Sequence, residues 1–143
     1  MNPITIRNLG PEEAHVLDRV REGTFDHPVD PSWAYGFLAT RVNEIVVALD
    51  QGEVIGFASG TVLMHPDKPF SFFVNEVSVH EDYRRNGIAK RLMQRLMDLA
   101  HDRGCEGIWL ATEHDNDAAR ALYRSMDARE TDGIIVYDWN AEL

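Results

Sequence analysis

Arg84, Arg85, Asn86, Gly87, Ile88 and Ala89 lie between an apolar run at residues 72–79 and a helix-periodic stretch at residues 88–103. A strand that turns abruptly into a helix leaves the first helical N–H groups without partners, backed by the positive end of the helix dipole. Such a turn binds anions, phosphate above all. Gly87 reaches backbone angles closed to other residues and leaves the main chain open to a ligand. Arg84 and Arg85 add charge and forked donors for phosphate oxygens. The spacing is not that of the Walker loop, which ends in Gly-Lys-Ser/Thr, nor that of the three-glycine dinucleotide fingerprint. Just upstream, Glu76 interrupts the apolar run. Period-two alternation puts it on the face of Val74 and Ser78 rather than that of Val77 and Val79, unless a bulge intervenes. Desolvation there raises a carboxyl pKa and makes a better base, acting directly or through water.

The surrounding pattern supplies elements to hold these groups. Residues 4–9 alternate as a strand, and Pro11 with Glu12 and Glu13 opens an amphipathic helix through residue 20. Residues 23–35 are a proline-broken lid or loop, and residues 33–42 a short helix. Runs 44–49 and 53–63 flank Asp50-Gln51-Gly52 and predict a hairpin, and residues 72–79 predict a buried third strand. The helix at 88–103 stops at Gly104. Strand 107–112 then gives a right-handed crossover with parallel neighbours, followed by a helix at 116–126 and a closing strand at 133–139.

With 143 residues, 44% hydrophobic and 27% charged, the chain suits one globular domain, residues 1–143, with a real core. No apolar stretch approaches the ~20 residues of a membrane span, and the first residues lack a basic, then hydrophobic, leader. A lone cysteine, Cys105, makes no internal disulfide. These features predict a cytoplasmic protein with no membrane partner. A net charge of −10 argues against nucleic acid. Residues 80–103 nevertheless hold six basic against four acidic side chains, a mildly basic island coinciding with the phosphate loop. An anionic cofactor and a cationic co-substrate suit that field.

The run from Glu76 to Ala89 resembles the acetyl-CoA motif of the GNAT superfamily of N-acetyltransferases. The pattern Arg/Gln-x-x-Gly-x-Gly/Ala falls on Arg84, Gly87 and Ala89, and a second signature, Asn-x-x-Ala-x-x-Leu-Tyr, on Asn116, Ala119, Leu122 and Tyr123. The resemblance implies an α/β fold: a mixed, mostly antiparallel sheet splayed at its middle, with helices on both faces. It implies acetyl-CoA as acetyl donor and no metal. The pyrophosphate would lie on Arg84, Arg85, Asn86, Gly87, Ile88 and Ala89, with Asn116 and Ala119 also on the cofactor. The pantetheine arm would pair with Val77, Ser78 and Val79 as an added strand. A backbone N–H near Val77 would hold the developing oxyanion.

Acetyl transfer to an amine requires a deprotonated amine, a stabilised oxyanion and a proton for the departing thiolate. Glu76 fits the base. Tyr123 matches the family's general acid: a phenol of pKa about 10 stays protonated at neutral pH and can donate to a thiolate of pKa about 8.5.

A finer resemblance is to aminoglycoside 3-N-acetyltransferases, through the acid at Glu76, the acid at Glu113, the run 117–123 and Tyr137-Asp138. It implies a small polycationic amine as substrate, with Asp26, Asp30, Glu113, Asp115 and Asp138 as ammonium contacts and Trp33 or Tyr35 stacking on a ring. A homodimer is implied by the family alone. Asp127 and Ala128 depart from the Gly-Phe pair common at the exit of the tyrosine helix. Acetylation of a protein N-terminus or lysine, or a non-catalytic CoA-binding module, are the competing readings.

Overall fold

The computed structural model describes residues 2–140. They fall into two compact units, Met1–Ala111 and Thr112–Leu143. In the first, β1 (Thr5–Asn8), β2 (Asn43–Asp50), β3 (Glu53–Leu63), β4 (Ser71–Val79) and β5 (Gly107–Trp109) form one sheet in the order β1-β2-β3-β4-β5. The first four strands are antiparallel neighbours, and β5 joins β4 in parallel. Gln51 and Gly52 link β2 to β3 with φ of 50° and 82°. Two successive positive φ values make the turn whose twist matches a two-residue hairpin.

Helix α2 (Ile88–Asp102) carries the crossover from β4 to β5. Its Ile88, Leu92, Met93, Leu96 and Ala100 recur at three- and four-residue spacing and are buried against the sheet. Each such large side chain contributes about 1.5–3 kcal/mol by leaving water. The opposite sheet face packs Ile45, Val47, Leu49 and Phe57 against Leu17 and, from α1 (Pro31–Ala39), Ala34 and Leu38. Helices thus cover both faces.

Three expectations change in length or type. The helix expected at 11–20 is a 3-10 helix, Pro11–Asp18, kinked at Glu13. Its apolar residues Ala14 and Leu17 lie three positions apart, which suits three residues per turn. Helix α1 starts two residues before the expected 33, because the Asp30 carboxylate caps it by accepting from the N–H groups of Ser32 and Trp33. The strand expected at 107–112 shrinks to Gly107–Trp109.

The closing strand expected at 133–139 is not formed. Among the described residues that segment has no ladder partner, and Ile134, Ile135, Val136, Tyr137 and Trp139 are exposed. A β-rich composition specifies a surface that fits a sheet, not the strand it will pair with.

The splay appears as a short ladder. Ser71, Phe72 and Phe73 pair with Gly107, Ile108 and Trp109, and β5 goes no further. From Val74 to Val79 the edge of β4 away from β3 has no strand partner among the described residues. On its other side the β3–β4 register slips: Ser59 faces Glu76 and Gly60 faces Val74, leaving Asn75 as a bulge. Only glycine fits at 60, since an added Cβ would lie 2.1 Å from Phe72.

In the second unit, α3 (Asp117–Ser125) closes with Ala128 N–H on Tyr123 O and Asp127 N–H on Arg124 O, 3.1 Å each. Helix α2 closes in the same pattern through Gly104 and Cys105. Asp127, at φ 62°, therefore holds the left-handed cap position where the family pattern has glycine. Cys105 is buried, and its thiol pKa is raised by that burial.

Candidate active site

The site is built around β4 and the turn that leaves it. His80 Nδ1 accepts from Asp82 N–H at 3.1 Å and caps the short 3-10 turn Glu81–Tyr83. The chain then passes through Arg84, Arg85 at φ 65°, Asn86 and Gly87 at φ 73° into α2. The first helical bond runs from Arg91 N–H to Gly87 O, 3.2 Å. Among the described residues, none of the N–H groups of residues 85–90 donates to a protein acceptor. Consecutive unpaired main-chain donors at a helix N-terminus are the kind of arrangement that suits an anion. The expected phosphate residues Arg84 to Ala89 are thus gathered in one turn. No Cβ clash excludes a side chain at Gly87, so its requirement is the backbone angle.

Side chains brace this loop in ways the sequence did not announce. Asn86 Nδ2 donates to the carbonyls of Tyr83 and Arg84, both at 3.1 Å. Arg84 Nε donates to Val79 O at 3.1 Å, so part of its fork holds the loop to the end of β4. Buried Tyr83 donates its phenol to the Asp50 carboxylate, and the Arg21 guanidinium sits 5.0 Å from its ring centroid. The contacts of Tyr83 with Asp50 and Arg21 join residues far apart in sequence, so no local spacing signals them.

The open edge of β4 presents main-chain groups in an order set by the pleat. His80 N–H donates to Ile55 O on β3 at 2.8 Å. N–H groups alternate along a strand, so those of Val79 and Val77 point to the edge without a partner strand. Arg84 occupies the Val79 carbonyl, which leaves the Val77 amide and carbonyl as the next pair without a strand partner among the described residues. Ser78, expected on the cofactor, instead turns its hydroxyl to Thr24 O at 2.8 Å on the other face.

The bulge corrects the facing of Glu76. It parts from Val74 and shares with Ser78 the face of Ser59 and Phe57, while Val77 and Val79 join Val74 and Phe72 on the face of Ala58 and Gly56. Glu76 is an exposed residue whose carboxyl is partly desolvated; that desolvation first, then the negative charge of Asp26, raise its pKa from the ordinary carboxylate value. Asp26 stands just beyond a pinned segment. Val54 N–H donates to Arg19 O at 2.8 Å, Arg21 Nε donates to Glu53 at 2.9 Å, and Phe25 stacks on Phe57 with centroids 3.9 Å apart. The segment expected as a lid is therefore tied to the sheet at its base. Asp30 spends one carboxylate oxygen on the α1 cap, while Trp33 and Tyr35 are exposed on that helix.

The second unit carries the remaining expected residues. Tyr123 lies half-buried on α3, and burial raises its phenol pKa. Asn116 and Ala119, expected on the cofactor, form the α3 cap: Asn116 Oδ1 accepts from Ala119 N–H at 3.1 Å. Glu113, Asp115 and Asp138 are exposed. Glu130 accepts from Arg120 and Arg124, which hold its carboxyl down to about 2. Among the described residues there is no group of three or more His, Cys, Asp or Glu placed to hold a metal. No described helix is long and apolar enough to cross a membrane.

An open strand edge running into a helix whose first donors are free is an architecture for an extended, phosphate-bearing acyl carrier. The acetyltransferase (GNAT) family profile matches residues 14–127, and the chain belongs to that family. It is an N-acetyltransferase by class, and acetyl-CoA is the family's donor. The chain is 34% identical over 126 residues to the N-alpha-acetyltransferase RimI of Mycobacterium tuberculosis, covering 87% of this chain and 77% of that one. Among solved structures it is similar to an aminoglycoside acetyltransferase from an uncultured soil metagenomic sample in complex with sisomicin. That match has a TM-score of 0.81 at 18% identity and covers 97% of each chain. The aminoglycoside N-acetyltransferase AAC(6')-Iy in complex with CoA gives a TM-score of 0.79 at 20% identity, covering 99% of this chain and 97% of that one.

Proposed function

We propose that this chain transfers the acetyl group of acetyl-CoA directly to a primary amine of a small polycationic substrate, with an aminoglycoside as first choice. The observation that carries the reading is the Glu76 carboxyl. It is raised in pKa by burial and by Asp26, on the face of β4 turned from α2 and next to an open strand edge. The free donors of residues 85–90 and the Val77 edge fit a pyrophosphate and an extended amide-bearing arm, respectively. Bound there, acetyl-CoA supplies an activated thioester carbonyl.

The chain's own groups do the rest. Two carboxylates favour a cationic amine, and Glu76, poised nearer neutrality than an ordinary carboxylate, takes the proton from the attacking nitrogen directly or through one water. Val77 N–H stabilises negative charge on the carbonyl oxygen. Tyr123 serves as general acid, its phenol kept protonated by burial. Asp26, Asp30, Glu113, Asp115 and Asp138 are the ammonium contacts of this reading.

A second reading, acetylation of a protein N-terminus, is favoured by the 34% identity to RimI across most of the chain. Both are tested by measuring thiol release from acetyl-CoA with gentamicin-like sugars, spermidine and alanine-starting peptides. The small-amine reading expects release with the sugars or spermidine well above that with peptides. Release with peptides alone overturns it in favour of the second.

A further inference from the structure

A file of hydrogen-bonded side chains crosses the sheet and ends at the bulge beside Glu76. Asn75 Nδ2 donates to Thr61 Oγ1 at 3.1 Å, the Thr61 hydroxyl donates to Asn43 Oδ1 at 3.0 Å, and Asn43 Nδ2 donates to Phe37 O of α1 at 3.2 Å. All donors point the same way, from β4 through β3 and β2 to α1, so each bond polarises the next. Thr61 is the pivot, accepting from one neighbour and donating to the other with a single oxygen.

We propose that Thr61 and Asn43 are positioning residues for acetyl transfer: through Asn75 they fix which residue is bulged, and so keep Glu76 on the acceptor face. Without the bulge, period-two alternation would carry Glu76 to the face of Phe72 and Val74, both buried. A carboxylate there would lack a partner, at a cost that expels it or strains the strand. The bulge must therefore stay between Val74 and Glu76, and the amide of Asn75 is tied down there by Thr61, which stands opposite Phe73. Glycine at 60 leaves room for the kink but contributes no polar hold.

The far end of the file is also on the acceptor side. Helix α1 follows Asp26 and Asp30 and presents Trp33 and Tyr35 to solvent, so the same bonds tie the acceptor-side helix to the strand carrying the base. The groups near Glu76 are Asp26 just beyond the pinned segment, Ser59 opposite on β3, and Asn75 and Ser78 on β4; among the described residues Asp26 is the charged one of these. No member of the file belongs to the phosphate loop. Its loss is therefore expected to act on the amine and its proton, not on the donor.

This inference rests on Glu76 as base, and the test separates the two. Steady-state kinetics and pH profiles are compared for Thr61→Val, Thr61→Ser, Asn75→Ala and Glu76→Gln. Thr61→Val is expected to lower kcat about three- to ten-fold, the effect of one lost hydrogen bond. It should also raise the KM for the amine and displace the rising limb of the pH profile, with the KM for acetyl-CoA unchanged. Thr61→Ser keeps the hydroxyl and should restore all three. Asn75→Ala, at an exposed position, should repeat the Thr61→Val pattern even if that variant folds poorly. Parent-like kinetics in Thr61→Val and Asn75→Ala beside an inactive Glu76→Gln overturn the positioning role and leave the base standing. A parent-like Glu76→Gln overturns the base, and this proposal with it. Equal loss toward both substrates marks general loosening and also overturns it.

Discussion

On the face shared with Gly56 and Ala58, β4 offers Val74, Val77 and Val79 and runs into a turn whose working groups are main-chain N–H donors. On the opposite face it offers Asn75, Glu76 and Ser78, each engaged with, or biased by, side chains or backbone from segments 14–54 residues away. The first side needs a conformation, which a few glycine and arginine positions specify. The second needs particular side chains from several elements. A shared donor can be held by backbone geometry, whereas a choice among amines has to be made by side chains.

Replacing Glu76 by Gln tests this division most severely. It should reduce kcat about 10²- to 10⁴-fold, as for loss of a general base, while the KM for acetyl-CoA holds. A loss confined to the amine KM would make Glu76 an ammonium contact instead. Tyr123→Phe should cost less, about ten- to a hundred-fold in kcat, because a thiolate leaves readily without a strong acid. Unchanged turnover at saturating substrates would remove Tyr123 as the acid.

On the donor side, Gly87→Ala adds a methyl with nothing within 4 Å to meet it, so its penalty is the left-handed backbone alone. At about 1 kcal/mol, that predicts a roughly five-fold rise in the KM for acetyl-CoA with the amine KM unchanged. Equal change in both constants would erase the distinction between the two sides.

Smaller effects come from charge. Asp26 disfavours the ionised form of Glu76, so Asp26→Asn should lower the Glu76 pKa and move the rising limb of the pH profile to lower pH. The shift is limited because burial is the larger cause, and movement to higher pH would contradict the geometry. The smallest effect concerns folding. Glu130, held at about 2 by Arg120 and Arg124, contributes stability above the ordinary carboxylate pKa of about 4.3 and loses it as the pH falls toward about 2. Because the pair is exposed, the contribution is small. Acid titration of Glu130→Gln, followed by circular dichroism, should lack that limb.

The turn proposed to hold the donor was legible as a turn because its requirements are local. Arg84, Gly87 and Ala89 sit in one turn, and the β2–β3 hairpin and α2 followed from Gly52 and from apolar spacing. The facing of Glu76 was legible only as a conditional, since the deciding event is a slip against β3 that depends on Gly60, Phe72 and Thr61. Asn75 beside Glu76, two polar residues together in an apolar strand, was the one available sign of it. The strand expected at 133–139 failed for a related reason: its residues specify a sheet-forming surface without specifying a partner. Tyr83, Asp50 and Arg21 meet only in the fold, and nothing in their spacing announces it.

The chain's one thiol also has a practical bearing. Cys105 is buried behind the end of α2, and its pKa is raised, so little of it is an accessible thiolate in the native state. An aromatic disulfide reagent added to a reaction therefore titrates the CoA released and not the enzyme. The same reagent, without substrate, becomes a clock for opening of the first unit, because labelling of this single sulfur requires the α2 terminus to come away from the sheet.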